Sequence, residues 1–296
     1  MAEVRRIDLL GTFVDVGYEM KEVIKKVEEM LRLGGSHYIC TTNPEFIMEA
    51  TSDNEFKDMI NGADLSLPDG SGVVMADYYL RRMNEVGAGH KFFTGLRLGL
   101  ETAGESFRHS VKFVPKITGV ELSEEIFKLS AEKGYSIFLL GGKVRDWRGR
   151  SKEGKIADVA VRTAEIMRKK YPQVKIVGAT SEFSKEDSDD ISTIGYIKKC
   201  MSKEGVEVLD FILVAYGQKN QEKWILRNSA KIPCKISLGV GGTFDYLSGV
   251  SKKPGDKIIF CNLEWLFRLF TQPWRLGRIV KAFPLFPIRI FLKSLK

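Results

Sequence analysis

The chain has 296 residues, 44% hydrophobic and 28% charged, with a formal net charge of +8 at neutral pH. That length and apolar content allow one large core, or a core with an appendage, and exclude a disordered chain. Cys40, Cys200, Cys234 and Cys261 lie far apart with no CxxC or Cys/His cluster, so neither a zinc site nor a disulfide framework is indicated and a reducing, cytosolic setting is expected.

In chain order, the first residues lack the long apolar core of a signal peptide. Residues 7–13 read as a short strand, and 18–33 as an amphipathic helix with Val23, Ile24, Val27, Met30 and Leu31 at helical spacing, ended by Gly34-Gly35. A strand follows at 38–41, a helix at 44–52 entered through Asn43, a second short helix at 55–61, and a strand beginning at Leu65. Buried strands are expected at 137–142, 174–179, 208–215 and 235–240. Helices are expected at 121–133, 157–171, 187–203 and 221–228. This βαβ rhythm argues an α/β fold with a mostly parallel sheet and helices on both faces. Residues 81–116 and 143–155 are less regular. The second, with six basic and two acidic residues and two glycines, is expected to be a mobile loop.

Four strand ends carry unusual residues. In Leu67-Pro68-Asp69-Gly70-Ser71-Gly72, Pro68 stops strand pairing and Gly70 and Gly72 allow a tight turn or a close backbone approach to a ligand. Asp69 is then either part of an Asp-Gly turn or a carboxylate at a strand's C-terminal end, where open α/β sheets bind ligands. Cys40-Thr41-Thr42-Asn43-Pro44-Glu45 places hydroxyl and amide groups where a helix cap alone would explain Asn43. Polar residues also separate strand from helix in Tyr216-Gly217-Gln218-Lys219-Asn220-Gln221-Glu222. Glycines after a strand in Gly239-Val240-Gly241-Gly242 let N–H groups approach a phosphate. Together these ends outline one cleft.

The positive charge gathers at the C-terminus. Residues 256–296 hold eight basic side chains against Asp256 and Glu264, interleaved with Trp265, Phe267, Phe270, Trp274, Phe283, Phe286 and Phe291 and with many aliphatics. Pro273, Pro284 and Pro287 forbid one long helix, and no run of eighteen apolar residues suggests a span. The expected form is a set of short amphipathic pieces lying in a membrane interface, against the plainer alternative of a helix packed into the core. Residues 1–254 would form the core and 255–296 the appendage.

Thr-x-Asn-x-Glu, Pro-Asp-Gly-x-Gly, Phe-Leu-Leu-Gly-Gly, Gly-x-x-x-Gln-Glu-Lys-Trp, Gly-Val-Gly-Gly-x-Phe-Asp and Leu-Glu-Trp-Leu-x-Arg-Leu-x-x-x-Pro-x-Arg occur in this order. The set resembles the WecG/TagA/CpsF glycosyltransferases, glycosyltransferase family twenty-six, over residues 7–281. The resemblance implies a Rossmann-like fold of the GT-E type with a C-terminal appendage that joins the membrane and completes the active site. It implies an inverting, metal-independent enzyme without cofactor, acting peripherally on the inner face of the cell membrane. Such an enzyme would move N-acetylmannosamine, a related sugar or glucose from a UDP donor to a polyprenyl-diphosphate-linked acceptor for a cell-surface polymer, with homo-oligomers possible.

By the same resemblance Asp69 is the catalytic base, with Thr41 and Asn43 near it. Gly70, Gly72, Lys116, Gly217, Gln221, Glu222, Gly239, Gly241 and Gly242 would bind substrate, and Arg268, Arg275 and Arg278 would neutralise the UDP leaving group. A base without a strong acid suits displacement of so good a leaving group, and guanidinium forks suit phosphate. Arg268 and Arg275 are seven residues apart, nearly eclipsed if on one helix, with Arg278 a turn beyond.

The chain departs from the family where Lys116-Ile117-Thr118-Gly119 replaces Arg-Val-x-Gly and where Gly217-Gln218-Lys219-Asn220-Gln221-Glu222 replaces Gly-Ala-Pro-Lys-Gln-Glu. The stretch 76–116 and the loop after Gly142 are longer than the family leads one to expect. Two other classes fit less well. A nicotinamide-dependent oxidoreductase would need an acidic strand end about twenty residues past its glycine loop. A nucleic-acid binder would not interleave its cations with Leu, Ile and Phe, and no reader motif is present.

Overall fold

The computed structural model describes residues 3–107, 113–142, 158–251, 255 and 264–296. The expected loop at 143–155 lies outside the described residues, as do residues 252–254 and 256–263 on either side of the expected boundary between 254 and 255.

The expected strand at 7–13 is instead a hairpin of β1 (Arg5–Leu9) and β2 (Thr12–Val16), paired antiparallel. Leu10 and Gly11 both take positive φ, 58° and 86°, the geometry that a two-residue hairpin loop needs, and the Gly11 N–H donates to Asp8 Oδ1 at 2.7 Å. After α1 (Met20–Leu33) comes β3 (His37–Thr42). The chain continues through α2 (Pro44–Ala50), α3 (Asn54–Asn61) and β4 (Leu65–Pro68) to α4 (Ser71–Asn84). Residues 81–116 prove largely helical: a short 3₁₀ turn leads into α5 (Lys91–Phe107). The remainder is α6 (Gly119–Lys133), β5 (Ser136–Gly141), α7 (Val159–Lys170), β6 (Lys175–Thr180), α8 (Asp190–Lys203), β7 (Leu209–Ala215), α9 (Asn220–Asn228), β8 (Cys234–Gly239) and α10 (Thr243–Leu247).

The six later strands form one sheet in the order β4-β3-β8-β7-β5-β6, with every pair parallel. One face packs Ile39, Leu67, Leu139, Leu213 and Leu238 against Val23 and Val27 of α1, Phe127 of α6, Met167 of α7 and Phe244 of α10. The other packs Cys40, Phe138, Ile212 and Val214 against Phe46, Phe56, Ile197 and Trp224 from α2, α3, α8 and α9. This is the expected α/β architecture, with parallel strands buried on both faces.

A third apolar cluster lies beyond the β4 edge. It joins Leu9, Val14 and Val16 of the hairpin to Val73, Val74, Tyr79 and Met83 of α4, Leu98 of α5, and Phe286 and Ile290 from the C-terminal segment. The edge of β4 is itself occupied: Ser66 N–H donates to Asp15 Oδ2 at 2.8 Å, and Ile117 N–H to the Pro68 carbonyl at 2.9 Å. Asp15 is held in turn by both nitrogens of an Arg6 fork at 2.7 and 2.9 Å.

The C-terminal segment is broken as its prolines require. It comprises α11 (Glu264–Thr271), a 3₁₀ turn at Pro273–Arg275, α12 (Leu276–Val280), and α13 (Phe286–Ser294), with Phe283 in extended backbone just before Pro284. Arg268 and Arg275 therefore do not share one helix, because Pro273 ends the run between them. No helix among the described residues is long and apolar enough to cross a membrane.

Candidate functional site

The four strand ends singled out from the sequence belong to neighbouring strands, β4, β3, β8 and β7. Thr42 pairs with Pro68, Cys40 with Gly239, and Gly239 with Val214, so the four ends are in step. At the usual spacing of about 4.8 Å between strands they line an edge about 14 Å wide.

On β3, Thr41 is buried, and a Cβ added to Gly119 would lie 3.4 Å from its Oγ1 and 3.3 Å from Thr243 Oγ1. A larger residue there would crowd both hydroxyls, so glycine suits this close approach of α6. Thr42 exchanges a 2.7 Å hydrogen bond with Ser66, tying β3 to β4 just below the edge. Asn43 caps α2, its Oδ1 accepting from Phe46 N–H at 3.0 Å.

On β4, Asp69 follows directly on Pro68, and its N–H donates to the Thr42 carbonyl at 2.9 Å. Gly70 takes φ 91° and ψ 155°, a backbone conformation open almost only to glycine, and turns the chain into α4. Gly72 has a different reason to be small: a Cβ there would stand 2.7 Å from Pro44 Cγ. It lets α4 pack on α2. Lys116 precedes Ile117, whose hydrogen bond to Pro68 runs its segment alongside the strand end that carries Asp69.

The Gln221-Glu222 pair lies beneath the glycine loop, with only 2% and 0% of its surface exposed. Gln221 Oε1 accepts from Gly241 N–H at 2.8 Å, while its Nε2 donates to Glu222 Oε1 at 2.7 Å. A Cβ at Gly239 would come within 2.7 Å of both side chains. The pair thus buttresses the loop from inside, with Gly241 held at φ 54°. Burial raises the Glu222 carboxyl to about 7, against the lowering effect of the Gln221 hydrogen bond. The Cys40 thiol, nearby and likewise buried, is pushed up to about 12 and stays protonated.

On the β7 side Gly217 turns the chain at φ 83°, and Lys219 also takes positive φ, 70°. Lys219 pairs with Asp53 and lies 4.0 Å from Glu49, so the displaced basic residue of this motif is engaged by α2 and the start of α3.

The C-terminal segment completes the edge. A Cβ on Gly242 would lie 3.5 Å from Arg275 Nη2, so Arg275 reaches the glycine loop. Arg278 Nε donates to Glu45 Oε2 at 2.7 Å and its Nη2 to Gln218 Oε1 at 2.8 Å. Lys281 pairs with Glu49 at 2.6 Å. At the far end Lys293 donates to Asp8 Oδ1 at 2.8 Å, and Tyr79 and Ser294 share a 3.0 Å hydroxyl hydrogen bond. Arg268 stands on α11, and its side chain lies outside the described residues. Among the described residues no three His, Cys, Asp or Glu side chains gather as a metal cage.

Glu45 and Gln218 as the seats of Arg278 were not singled out from the sequence. Both lie inside the motifs quoted for β3 and β7, but the signal for their pairing is long-range. The burial of Glu222 was also missed, because α9 is mostly polar in sequence and only Trp224 and Ile225 mark its core-facing side.

The Glyco_tran_WecG model, described as the glycosyl transferase WecG/TagA/CpsF family, matches residues 7–96 and 95–296, two segments that meet within α5. Curated relatives include an N-acetylglucosaminyldiphosphoundecaprenol N-acetyl-β-D-mannosaminyltransferase of Staphylococcus aureus (strain MRSA252), 23% identical over 96% of this chain and 92% of its own. The enzyme of the same name from Bacillus subtilis (strain 168) is 26% identical over 82% of this chain and 74% of its own. With the ordered strand ends, the glycine loop and the appended arginines all lying inside the matched segments, the chain belongs to the WecG/TagA/CpsF glycosyltransferase family.

Proposed function

We propose that this protein transfers N-acetylmannosamine, or a closely related hexose, from its UDP derivative to N-acetylglucosamine linked through a diphosphate to a polyprenol. The observation that carries this reading is the arrival of Arg275 at the glycine loop of β8, on the same sheet edge as Asp69. A carboxylate base and a phosphate cradle thereby share one cleft.

Asp69 takes the proton of the acceptor hydroxyl as its oxygen attacks the anomeric carbon. The new glycosidic bond forms on the face opposite the bond to UDP, which breaks with its electron pair on the diphosphate, so the anomeric centre inverts. An α-linked donor then yields the β linkage named for the relatives. Loop N–H groups and the Arg275 guanidinium meet the developing charge, and Arg278 joins them by leaving its seat on Glu45 and Gln218. No metal is needed in this account. Gln221 and Glu222 act by holding the loop. The C-terminal segment, basic and apolar, rests on the membrane that carries the acceptor.

The test is incubation of the full chain with UDP-N-acetylmannosamine, UDP-N-acetylglucosamine and UDP-glucose, each with a short-chain lipid-diphosphate N-acetylglucosamine acceptor, read by product mass and UDP release. Transfer from UDP-N-acetylmannosamine supports the proposal. No transfer from any of the three overturns it.

A further inference from the structure

Helix α5 wears its residues inside out. Gly95, Leu98, Thr102 and Ser106, mostly small or polar, form its buried face. A Cβ at Gly95 would stand 2.9 Å from the Tyr79 hydroxyl and 3.1 Å from Phe291, so the helix is pressed against α4 and α13. Its bulky apolar residues point away: Phe92 is 54% exposed, Phe93 80%, Leu96 52% and Leu100 70%. At 100° per residue these four share one outward stripe. In a water-facing helix the order is reversed.

The same surface continues onto α13. Phe286 and Ile290 anchor that helix in the third cluster, while Leu285, Ile288 and Leu292 are exposed. Phe92 and Phe291 meet edge to face at 5.8 Å, which closes the seam between the two helices. Arg289 and Lys296 on the C-terminal segment are exposed as well, as is Arg97 on α5, which lies 3.6 Å from Glu101 one turn along the helix. An apolar stripe with cations beside it complements an anionic bilayer, into which the apolar groups sink to headgroup depth.

We infer that α5 and α13 together form the surface by which this protein docks on an anionic lipid bilayer, with α5 contributing as much as the C-terminal segment. This rests on the reading that the acceptor is membrane-borne. Gly72 at the start of α4 lies close to Phe286 at the start of α13, and Tyr79, eight residues along α4, meets α5. At 1.5 Å per residue α4 meets the inner face of α5 about 12 Å beyond its first turn, and the apolar stripe lies on the far side of α5 from there.

The test compares the full-length chain, F93E/L100E and I288E/L292E for co-sedimentation with phosphatidylglycerol/phosphatidylcholine vesicles and with phosphatidylcholine vesicles. All four positions are exposed, so the fold is retained, which thermal melting verifies. F93E/L100E is expected to lose at least tenfold in binding to the anionic vesicles while turnover of a short-chain, water-soluble acceptor stays within twofold. Binding by F93E/L100E equal to that of the unaltered chain overturns the inference. So does a dimer that F93E/L100E converts to monomer without loss of vesicle binding, since a second copy would then be what covers the stripe. The vesicle measurement needs no turnover, so failure of the proposed transfer reaction leaves it readable.

Discussion

The Arg278 guanidinium is bonded to the Glu45 carboxylate at 2.7 Å across 233 positions of sequence, and this bond ties the C-terminal segment to the first turn of α2. Glu45 is the more buried partner, its side chain 12% exposed against 43% for Arg278. Replacing Arg278 by Ala strands that carboxylate and, in the proposed mechanism, removes a cation from the leaving group. R278A is expected to lower kcat/KM for the UDP-sugar by about 10²-fold, and R278K to recover only part of this because it lacks the fork. Steady-state kinetics with a soluble acceptor decide it, and unchanged kinetics in R278A would remove Arg278 from the mechanism.

Asp69→Asn keeps the shape of the turn after β4 but removes the proposed proton acceptor. Loss of a general base should cut turnover by about 10³-fold while UDP affinity, measured by calorimetry, stays within about threefold. Substantial residual turnover would assign the base elsewhere.

Glu222 makes stability depend on pH in an unusual direction. Its carboxyl is raised from 4.5 to about 7 by burial, so the folded chain holds this proton more tightly than the unfolded one. The contribution is complete below about pH 4.5 and declines until about pH 7, by about 3 kcal/mol. Glu222→Gln can still accept from Gln221 and carries no charge. Urea unfolding at pH 5 and pH 8 should show E222Q losing less stability than the unaltered chain over this range, and equal losses would contradict the assignment.

Gly70 and Gly72 differ in why they tolerate nothing larger. Ala at 70 meets no neighbour but must hold φ 91°, whereas Ala at 72 drives Cβ to 2.7 Å from the Pro44 ring. Each should cost about 1–3 kcal/mol in urea unfolding. G72A should also disturb the packing of α2 on α4 and so the Glu45–Arg278 bond, whereas G70A acts at the turn beside Asp69.

Turnover in EDTA should equal that in magnesium if arginines and loop N–H groups neutralise the diphosphate. Loss on chelation with recovery on adding a divalent cation would overturn the metal-free account.

The strand ends were legible because each is written in a few adjacent residues: Pro68 stops a strand, Asn43 caps a helix, and Gly241 accepts a positive φ. Parallel strands also announce themselves as apolar runs. Strand order was not legible, since nothing local says that β8 lies between β3 and β7. The hairpin at Leu10-Gly11 was missed because Leu seldom takes positive φ. Helix α5 was missed because its large apolar residues face outward, so its pattern does not read as a core-facing stripe. The roles of Gln221 and Glu222 in supporting the loop depend on their burial beneath the end of the next strand, β8, which no local pattern announces.

Because β8 is inserted between β3 and β7, the edge that holds the candidate site is the last part of the sheet that the ribosome can supply. Until Cys234–Gly239 has emerged, β3 and β7 have nothing between them, and Thr41 and Asp69 stand without the glycine loop. Closing that gap demands contacts between distant parts of the chain, which slows folding. It also means that a chain interrupted before β8 cannot assemble the cleft.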